Sequence, residues 1–325
     1  MRRLIKNLGV FLLTLVLLFV IFFFWASAPT LSKDDYAKIG GPEPTFVPKN
    51  DSTFSIVTYN IGYLSGMTNN TAEKKPKSLF DGNLEVVESE FRKVNPDIIA
   101  LQEIDYKATR SHLVNQQEAL VNLGYPYFAQ AINWDETYLP FPYWPPSQHF
   151  GKVISGQSIV SKYPLKEQER KVLQRVADAP FYRDAFYLER LAQIAKVELN
   201  GKDVVLINVH LEAFDKLTRL NQMREVMLLL NRFKDRYPTI LLGDFNSKYR
   251  DVDSGIQEFL QHPDLGSAAF QNETVGNTFN SRNPHKRIDY IFFTKNTIEE
   301  ISGRVLKEFG EASDHLPVYM KFRLK

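Results

Sequence analysis

The chain has 325 residues, 44% hydrophobic and 24% charged, enough apolar material for a sizeable core in one large domain or two ordinary ones. It contains no cysteine, which excludes disulfides, thiolate metal sites and a cysteine nucleophile and leaves oxygen and imidazole as ligands for any metal. Net charge is +2; without Arg2, Arg3 and Lys6 of the N-terminal flank, 37 basic and 38 acidic residues nearly cancel, so the global basic footprint of a duplex-binding protein is missing.

The first predicted element is an uncharged run from Leu8 to Ala28, about 21 residues, long enough to cross a bilayer. A cleaved signal peptide is the competing reading, because Ala26-Ser27-Ala28 is a small-residue cleavage pattern. The run exceeds the roughly 7–15 residues of a signal core, and Pro29 sits where the new N-terminus would fall. The favoured expectation is therefore an uncleaved anchor over residues 1–28, with the basic flank cytoplasmic and everything after Pro29 outside. Residues 29–50 contain Pro42, Pro44, Pro48 and Gly40-Gly41 without apolar periodicity and read as a linker. Residues 51–325 read as one folded unit without internal repeats.

Within that unit, strands are predicted at Phe54–Tyr59, Ile98–Leu101, Ile194–Leu199, Val204–Leu211, Ile240–Leu242, Ile288–Thr294 and Val318–Leu324. Asn200-Gly201 suits a two-residue type I′ turn and predicts a hairpin between the third and fourth of these. The VVLINV segment is apolar on both faces and is expected in the interior. Helices are predicted near Leu84–Val94 and over Leu217–Phe233, where Leu217, Leu220, Met223, Met227, Leu230 and Phe233 form one apolar stripe expected to pack in the core. Hairpins mixed with helices favour two stacked sheets with helices outside over a purely parallel sheet.

Six polar islands interrupt or end these apolar runs: Asn60 in VTYNIG, Glu103 in IIALQEID, His210 in LINVHLE, Asp244 with Asn246 in ILLGDFNS, Asp289 in RIDYIFF, and Asp314-His315 in SDHLPV. Buried strands end in such groups when partners, a metal or a substrate satisfy them. One island alone is commonplace: an amide satisfying a turn, a structural histidine and an Arg-Asp pair account for Asn60, His210 and Asp289 in isolation. GDFN and the Asp-His of SDHLPV are more specific, the latter having no obvious packing purpose. Together they supply what metal-assisted phosphoester hydrolysis requires. A hard cation needs one or two carboxylates, proton transfer needs imidazole or carboxylate, and amides grip phosphate oxygens without adding charge.

In this order the islands resemble the endonuclease/exonuclease/phosphatase superfamily, from about Phe54 to the C-terminus. The resemblance implies a four-layered α/β sandwich, two packed mixed sheets flanked by helices, with the site at one end and dependence on Mg²⁺ or Mn²⁺. It implies Glu103 as main metal ligand with Asn60 beside it, and His210 on the phosphate. It implies Asp244 and Asn246 positioning water and phosphate, Asp289 orienting His315, and Asp314 holding metal or water. Members differ over whether the Asp of GDFN or the Asp-His pair activates water, and His315 is the expected base. Some nucleases give the equivalent of His210 an acidic partner, which no residue pattern identifies here.

The segment Asn133 to Gly156 is rich in aromatics and prolines and reads either as a rigid, self-packed loop or as an aromatic lip beside the site, with His149 and Lys152 meeting a phosphate. Aromatics suit a membrane interface and also stack on bases. Three functions follow: a membrane-tethered phosphodiesterase or phosphatase acting on a lipid head group or soluble phosphoester, an extracytoplasmic nuclease, or a non-catalytic module on the same fold. The pattern names no protein partner. Asn50, Asn69 and Asn272 head glycosylation-type tripeptides.

Overall fold

The computed structural model describes residues 1–43, 51–69, 71–251, 254–270 and 276–325. Helix α1 (Arg2–Ala26) is long and apolar enough to cross a membrane and is almost wholly exposed up to its last turn. The rest forms two mixed sheets. The first runs, edge to edge, β1 (Ala37–Gly40), β4 (Tyr127–Leu139), β5 (Gly151–Ser161), β3 (Ile98–Asp105), β2 (Phe54–Asn60), β13 (Val318–Leu324) and β12 (Ile298–Val305). The second runs β10 (Leu265–Ser267), β11 (Asp289–Thr294), β9 (Thr239–Asp244), β8 (Lys202–His210), β7 (Leu191–Leu199) and β6 (Leu165–Val172).

Alternation along central strands generates the layers, because successive side chains leave a strand on opposite faces. On β2, Phe54 and Ile56 enter the core between the sheets, while Val57 and Tyr59 face the helices outside. On β8, Val204 and Leu206 point inward, while Val205, Ile207 and Val209 face out. Helices α2 (Lys77–Val94) and α3 (Gln116–Asn122) cover the first sheet through Phe80, Val87, Phe91 and Leu120. Helices α5 (Lys216–Phe233) and α6 (Ile256–Leu260) cover the second through Met223, Val226, Leu230 and Phe259. The result is the expected four-layered sandwich, to which a single helical turn, α4 (Phe181–Asp184), adds a small surface element. The β7–β8 hairpin turns as its sequence predicts: Asn200 and Gly201 both have positive φ, 52° and 72°, and Leu199 pairs with Lys202.

Three local expectations are corrected. Residues 29–40 are built into the domain rather than forming a tether. The buried carboxylate of Asp135 on β4 needs donors, and it takes them from the Thr30 and Leu31 N–H groups and the Thr30 and Tyr36 hydroxyls at 2.7–3.1 Å. β1 then adds to the sheet edge antiparallel to β4. Residues 44–50 of the expected linker lie outside the described residues. The segment Asn133–Gly156 is mostly strand, the ends of β4 and β5, and only 140–150 connects them. Finally, Leu217 at the head of the α5 stripe is exposed, while Met223, Leu230 and Phe233 further along are buried.

Candidate active site

Strand register assembles the islands. β8 and β9 run parallel with His210 beside Asp244, and β9 pairs antiparallel with β11 so that Asp244 lies beside Asp289. In the other sheet, Asn60 and Gln102 end a parallel pair, and the approach to β13 brings Ser313 Oγ to the Asn60 carbonyl at 2.8 Å. The Asn60 amide donates to Asp244 Oδ2 at 3.0 Å and thereby ties the two sheets together at the site. Gly243 permits the row: a Cβ there would stand 2.0 Å from the Val209 carbonyl oxygen, and its φ of 138° disfavours any other residue. Beneath this row Gln102 Nε2 donates to Asn208 Oδ1 at 2.7 Å and the Asn208 amide donates to Gln193 Oε1 at 3.1 Å, a polar floor between the sheets.

Glu103 has a φ of 51° where the β3–β5 register breaks between Leu101 and Ile104. Such a bulge re-aims a side chain, and left-handed backbone at a non-glycine residue costs of order 1–3 kcal/mol. Asn69 donates one amide to two carboxylates, Glu103 Oε2 at 2.8 Å and Asp314 Oδ1 at 3.2 Å. Burial, and next the charge of Asp314, pushes the Glu103 carboxyl above its ordinary range. Two crowded carboxylates with neutral amides beside them are an oxygen donor set that fits a hard divalent cation. Asn69 also heads one glycosylation-type tripeptide, but its amide is committed to these acids; Asn50 and Asn272, which head the others, lie outside the described residues.

Asp244, Asp289 and His315 offer ligand atoms within 4.8 Å of one another. Here, however, His315 Nδ1 is occupied by Asp289 Oδ2 at 3.0 Å, and Nε2 faces Asp244 Oδ2 at 3.8 Å. Burial opposes a charged imidazole, but Asp289 and Asp244 together outweigh it and hold His315 well above the usual histidine range. Asp244 is pushed up to about 7, first by burial and then by Asp289. Asn246, itself at φ 49°, donates its backbone N–H to Asp244 Oδ1 at 2.8 Å and its amide to the Leu211 carbonyl at 2.9 Å.

His210 is neutral: burial, then the adjacent Arg190, keeps it well below the usual range. Arg190 Nη1 lies 2.8 Å from His210 Nε2, and a guanidinium only donates, so the ring proton belongs on Nδ1. That buried nitrogen has no partner among the described residues. Nε2 is also 3.6 Å from Glu103 Oε1 and 3.7 Å from Asp244 Oδ2. Behind Arg190, Glu212 at 3.3 Å and the Tyr187 hydroxyl at 3.2 Å complete the cluster. The partner of His210 is thus a cation backed by an acid, not an acid.

All eight island residues, Asn60, Glu103, His210, Asp244, Asn246, Asp289, Asp314 and His315, converge. Glu103, His210, Asp244, Asn246, Asp314 and His315 line a cavity of about 660 Å³, with Asn60 and Asp289 directly behind. His149 and Lys152 do not join them. His149 Nδ1 is engaged by the Tyr138 hydroxyl at 2.8 Å, and Lys152 is exposed outside the cavity lining. The cations that do line it are Arg110, Arg183, Arg190, Arg219, Lys248 and Lys286. Asn69 and Arg190 had no motif to announce them. Arg190 was within reach, because counting back from the Asn200-Gly201 turn sets Leu191 opposite His210 and Arg190 next to it.

A two-sheet sandwich with acids, amides and imidazoles gathered at one end is a phosphohydrolase or nuclease architecture. The chain belongs to the Endonuclease/Exonuclease/phosphatase family, whose sequence model matches residues 57–315. Its members are generally hydrolytic and metal-dependent. Among curated proteins, UPF0294 protein YE0917 of Yersinia enterocolitica is 24% identical over 172 residues, 50% of this chain and 63% of that protein, so the match spans less than two thirds of the relative. An endonuclease/exonuclease/phosphatase from Beutenbergia cavernae superposes with a TM-score of 0.62 at 22% identity, covering 84% of this chain and 72% of that one. The human Nocturnin catalytic domain with bound sulfate aligns with a TM-score of 0.58 at 17% identity, covering 91% of this chain and 100% of that one. D. rerio TDP2 complexed with a single-strand DNA product gives 0.58 at 18% identity, covering 84% and 100%. At these identities the solved structures establish the fold.

Proposed function

We propose that this protein is a membrane-anchored phosphoester hydrolase, dependent on Mg²⁺ or Mn²⁺, that works outside the cytoplasm on a phosphodiester or phosphomonoester, with lipid head groups among its substrates. The observation that carries the reaction class is the convergence of the Glu103–Asp314 acid pair, the Asp289–His315–Asp244 chain and Arg190 around one cavity. A divalent cation held by Glu103 and Asp314, with Asn60 nearby, would polarise a phosphoryl oxygen and stabilise developing charge. Asp244, poised near neutrality and held by Asn60 and the Asn246 N–H, takes a proton from the attacking water. His315, kept protonated by Asp289, donates toward a phosphate or leaving oxygen. This reverses the order of base and acid expected from sequence, because the flanking carboxylates favour the imidazolium. Arg190 is the fixed positive charge for the phosphate, and neutral His210 stands beside it.

The anchor rests on α1, with Arg2, Arg3 and Lys6 as its cytoplasmic flank. Retention of the helix is supported by its last turn, where Ala26 is buried and the Ala28 carbonyl accepts from the Thr137 N–H and hydroxyl at 2.9 and 2.8 Å. A nuclease is the second reading, favoured by the cations lining the cavity and opposed by the balanced charge of the whole.

The test uses the full chain in detergent against bis-(p-nitrophenyl) phosphate, sphingomyelin and plasmid DNA, with Mg²⁺, with chelator, and as His315→Ala. Turnover that needs the cation and collapses in the variant is expected, and the best substrate separates lipid from nucleic acid. Turnover undiminished by chelator would sink the metal-dependent reading.

A further inference from the structure

Two segments shape the mouth of the cavity: the end of β4 running into residues 140–150, and α4 with the residues after it. Leu139, Phe141 and Tyr143 line the cavity from the first, and Arg183, Phe186 and Tyr187 from the second. The same two segments receive the last turn of α1. Trp25 stacks on Tyr138 with ring centroids 5.9 Å apart, and Phe22 meets that ring edge-on at 6.0 Å. Phe23 packs on Phe181 at 5.8 Å and on Phe186 at 5.5 Å. The membrane-length helix therefore ends against the rim of the catalytic cavity, not at a remote face.

That rim is aromatic and uncovered. Trp144 is 80% exposed, Phe214 77%, Phe181 76%, Tyr143 69% and Tyr182 55%. Exposed apolar side chains gathered around one cavity mouth suit a docking site, and Trp and Tyr are the side chains preferred where bilayer meets water. One occupant is continuous with a neighbour already present. A bilayer that takes up α1 reaches its boundary at Trp25 and Ala26, beside Tyr138 and Phe181. Inside the rim the chemistry changes to Arg183, Lys248 and Lys286, which suit a phosphate presented from an apolar surface.

We infer that the aromatic rim docks on the bilayer that holds α1, and that the cavity takes its phosphoester as the head group of a lipid in that bilayer. The inference deepens the reading given above and rests on it, on the hydrolase for the chemical step and on α1 as a membrane anchor for the docking. Water attacks phosphorus, the ester bond to the lipid or head-group oxygen breaks, and the leaving oxygen takes the proton; no oxidant or co-substrate enters.

The docking is tested on the full chain in vesicles of brominated phosphatidylcholine. Wild-type tryptophan fluorescence is expected to be quenched to an extent that falls in Trp144→Phe, leaving the contribution of Trp25. Quenching unchanged by that substitution means Trp144 meets no lipid and overturns the docking. The substrate is tested in phosphatidylcholine vesicles carrying sphingomyelin, against soluble bis-(p-nitrophenyl) phosphate. Trp144→Ser with Tyr182→Ser, neither of them in the cavity lining, is expected to cut lipid turnover about tenfold and leave the soluble diester within about twofold. Equal effects on both substrates, or on neither, overturn a role for the rim in lipid capture. A wild-type protein that splits the soluble diester but no vesicle lipid overturns the lipid substrate while the hydrolase stands, and cleavage of single-stranded DNA in its place assigns the rim to base stacking. If the soluble diester is also untouched, the hydrolase reading itself falls, and the quenching result alone decides the docking.

Discussion

At the scale of single residues, the site is a set of charges that correct one another. His315 is cationic because Asp289 and Asp244 overcome the penalty of burying it, and Asp244 sits near neutrality because burial and Asp289 outweigh the help it receives. Replacing Asp289 by Asn keeps the shape and removes the charge that holds the imidazolium. Steady-state kinetics on a soluble diester are expected to show kcat/KM lower by about 10²–10⁴-fold, the usual span for a lost acid–base group. A second expectation concerns pH. A base acts once its proton has left, so kcat/KM rises as pH passes upward through about 7 in the free enzyme, the value for Asp244. A nearby cation favours the carboxylate, so raising its concentration moves that limb lower and not higher. A rate profile that is flat from pH 5 to 8 would remove Asp244 from this role.

At the scale of elements, β4 explains both what was legible in the sequence and what was not. The islands could be read because each places a polar group where an apolar run ends, and the β7–β8 hairpin because Asn-Gly permits few turns. β4 buries Asn133, Asp135 and Glu136, and those polar residues break the alternation by which a strand is recognised. For Asp135 the reason lies outside the strand, since it collects the donors of residues 30–36. β6, with the sequence LKEQERKV on a sheet edge, has no apolar signal to find. Asn69 was invisible for a different reason, since its role depends on a loop meeting two acids far away in the chain. Glu136 provides the prediction at this scale. Burial first, and Asp135 next, push its carboxyl up to about 8 from an ordinary 4.5, and Oε2 has no partner among the described residues. The folded state therefore holds this proton more tightly than the unfolded state. Its contribution to stability is complete below about 4.5 and is lost as pH rises toward and through about 8. Glu136→Gln is expected to flatten that decline in denaturant titrations, with the variant the more stable protein above pH 8 and the gain shrinking toward pH 4.

At the scale of the whole molecule, the domain begins earlier than its family match. The family model starts at residue 57, yet β1 and the donors to Asp135 precede it. A fragment starting at Asp51 loses those hydrogen bonds and the β1 edge strand, and opens the Asp135 carboxylate to water. It is expected to be less stable than a fragment starting at Pro29 by about 2 kcal/mol or more, the scale for lost hydrogen bonds to a charged group. Equal denaturation midpoints for the two fragments would show that residues 29–40 are dispensable. On the membrane-anchored reading proposed above, the junction from Ala28 to Tyr36 also bears on how the domain meets a lipid substrate. A loose tether would let the domain sweep a volume above the surface. A junction hydrogen-bonded at Thr137 and Asp135 instead keeps the cavity at one height and one tilt relative to α1. With α1 in a bilayer and a lipid of that bilayer as substrate, encounters would be made by lateral diffusion in two dimensions. Diluting a substrate among inert lipids then slows turnover even when its total amount in the sample is unchanged.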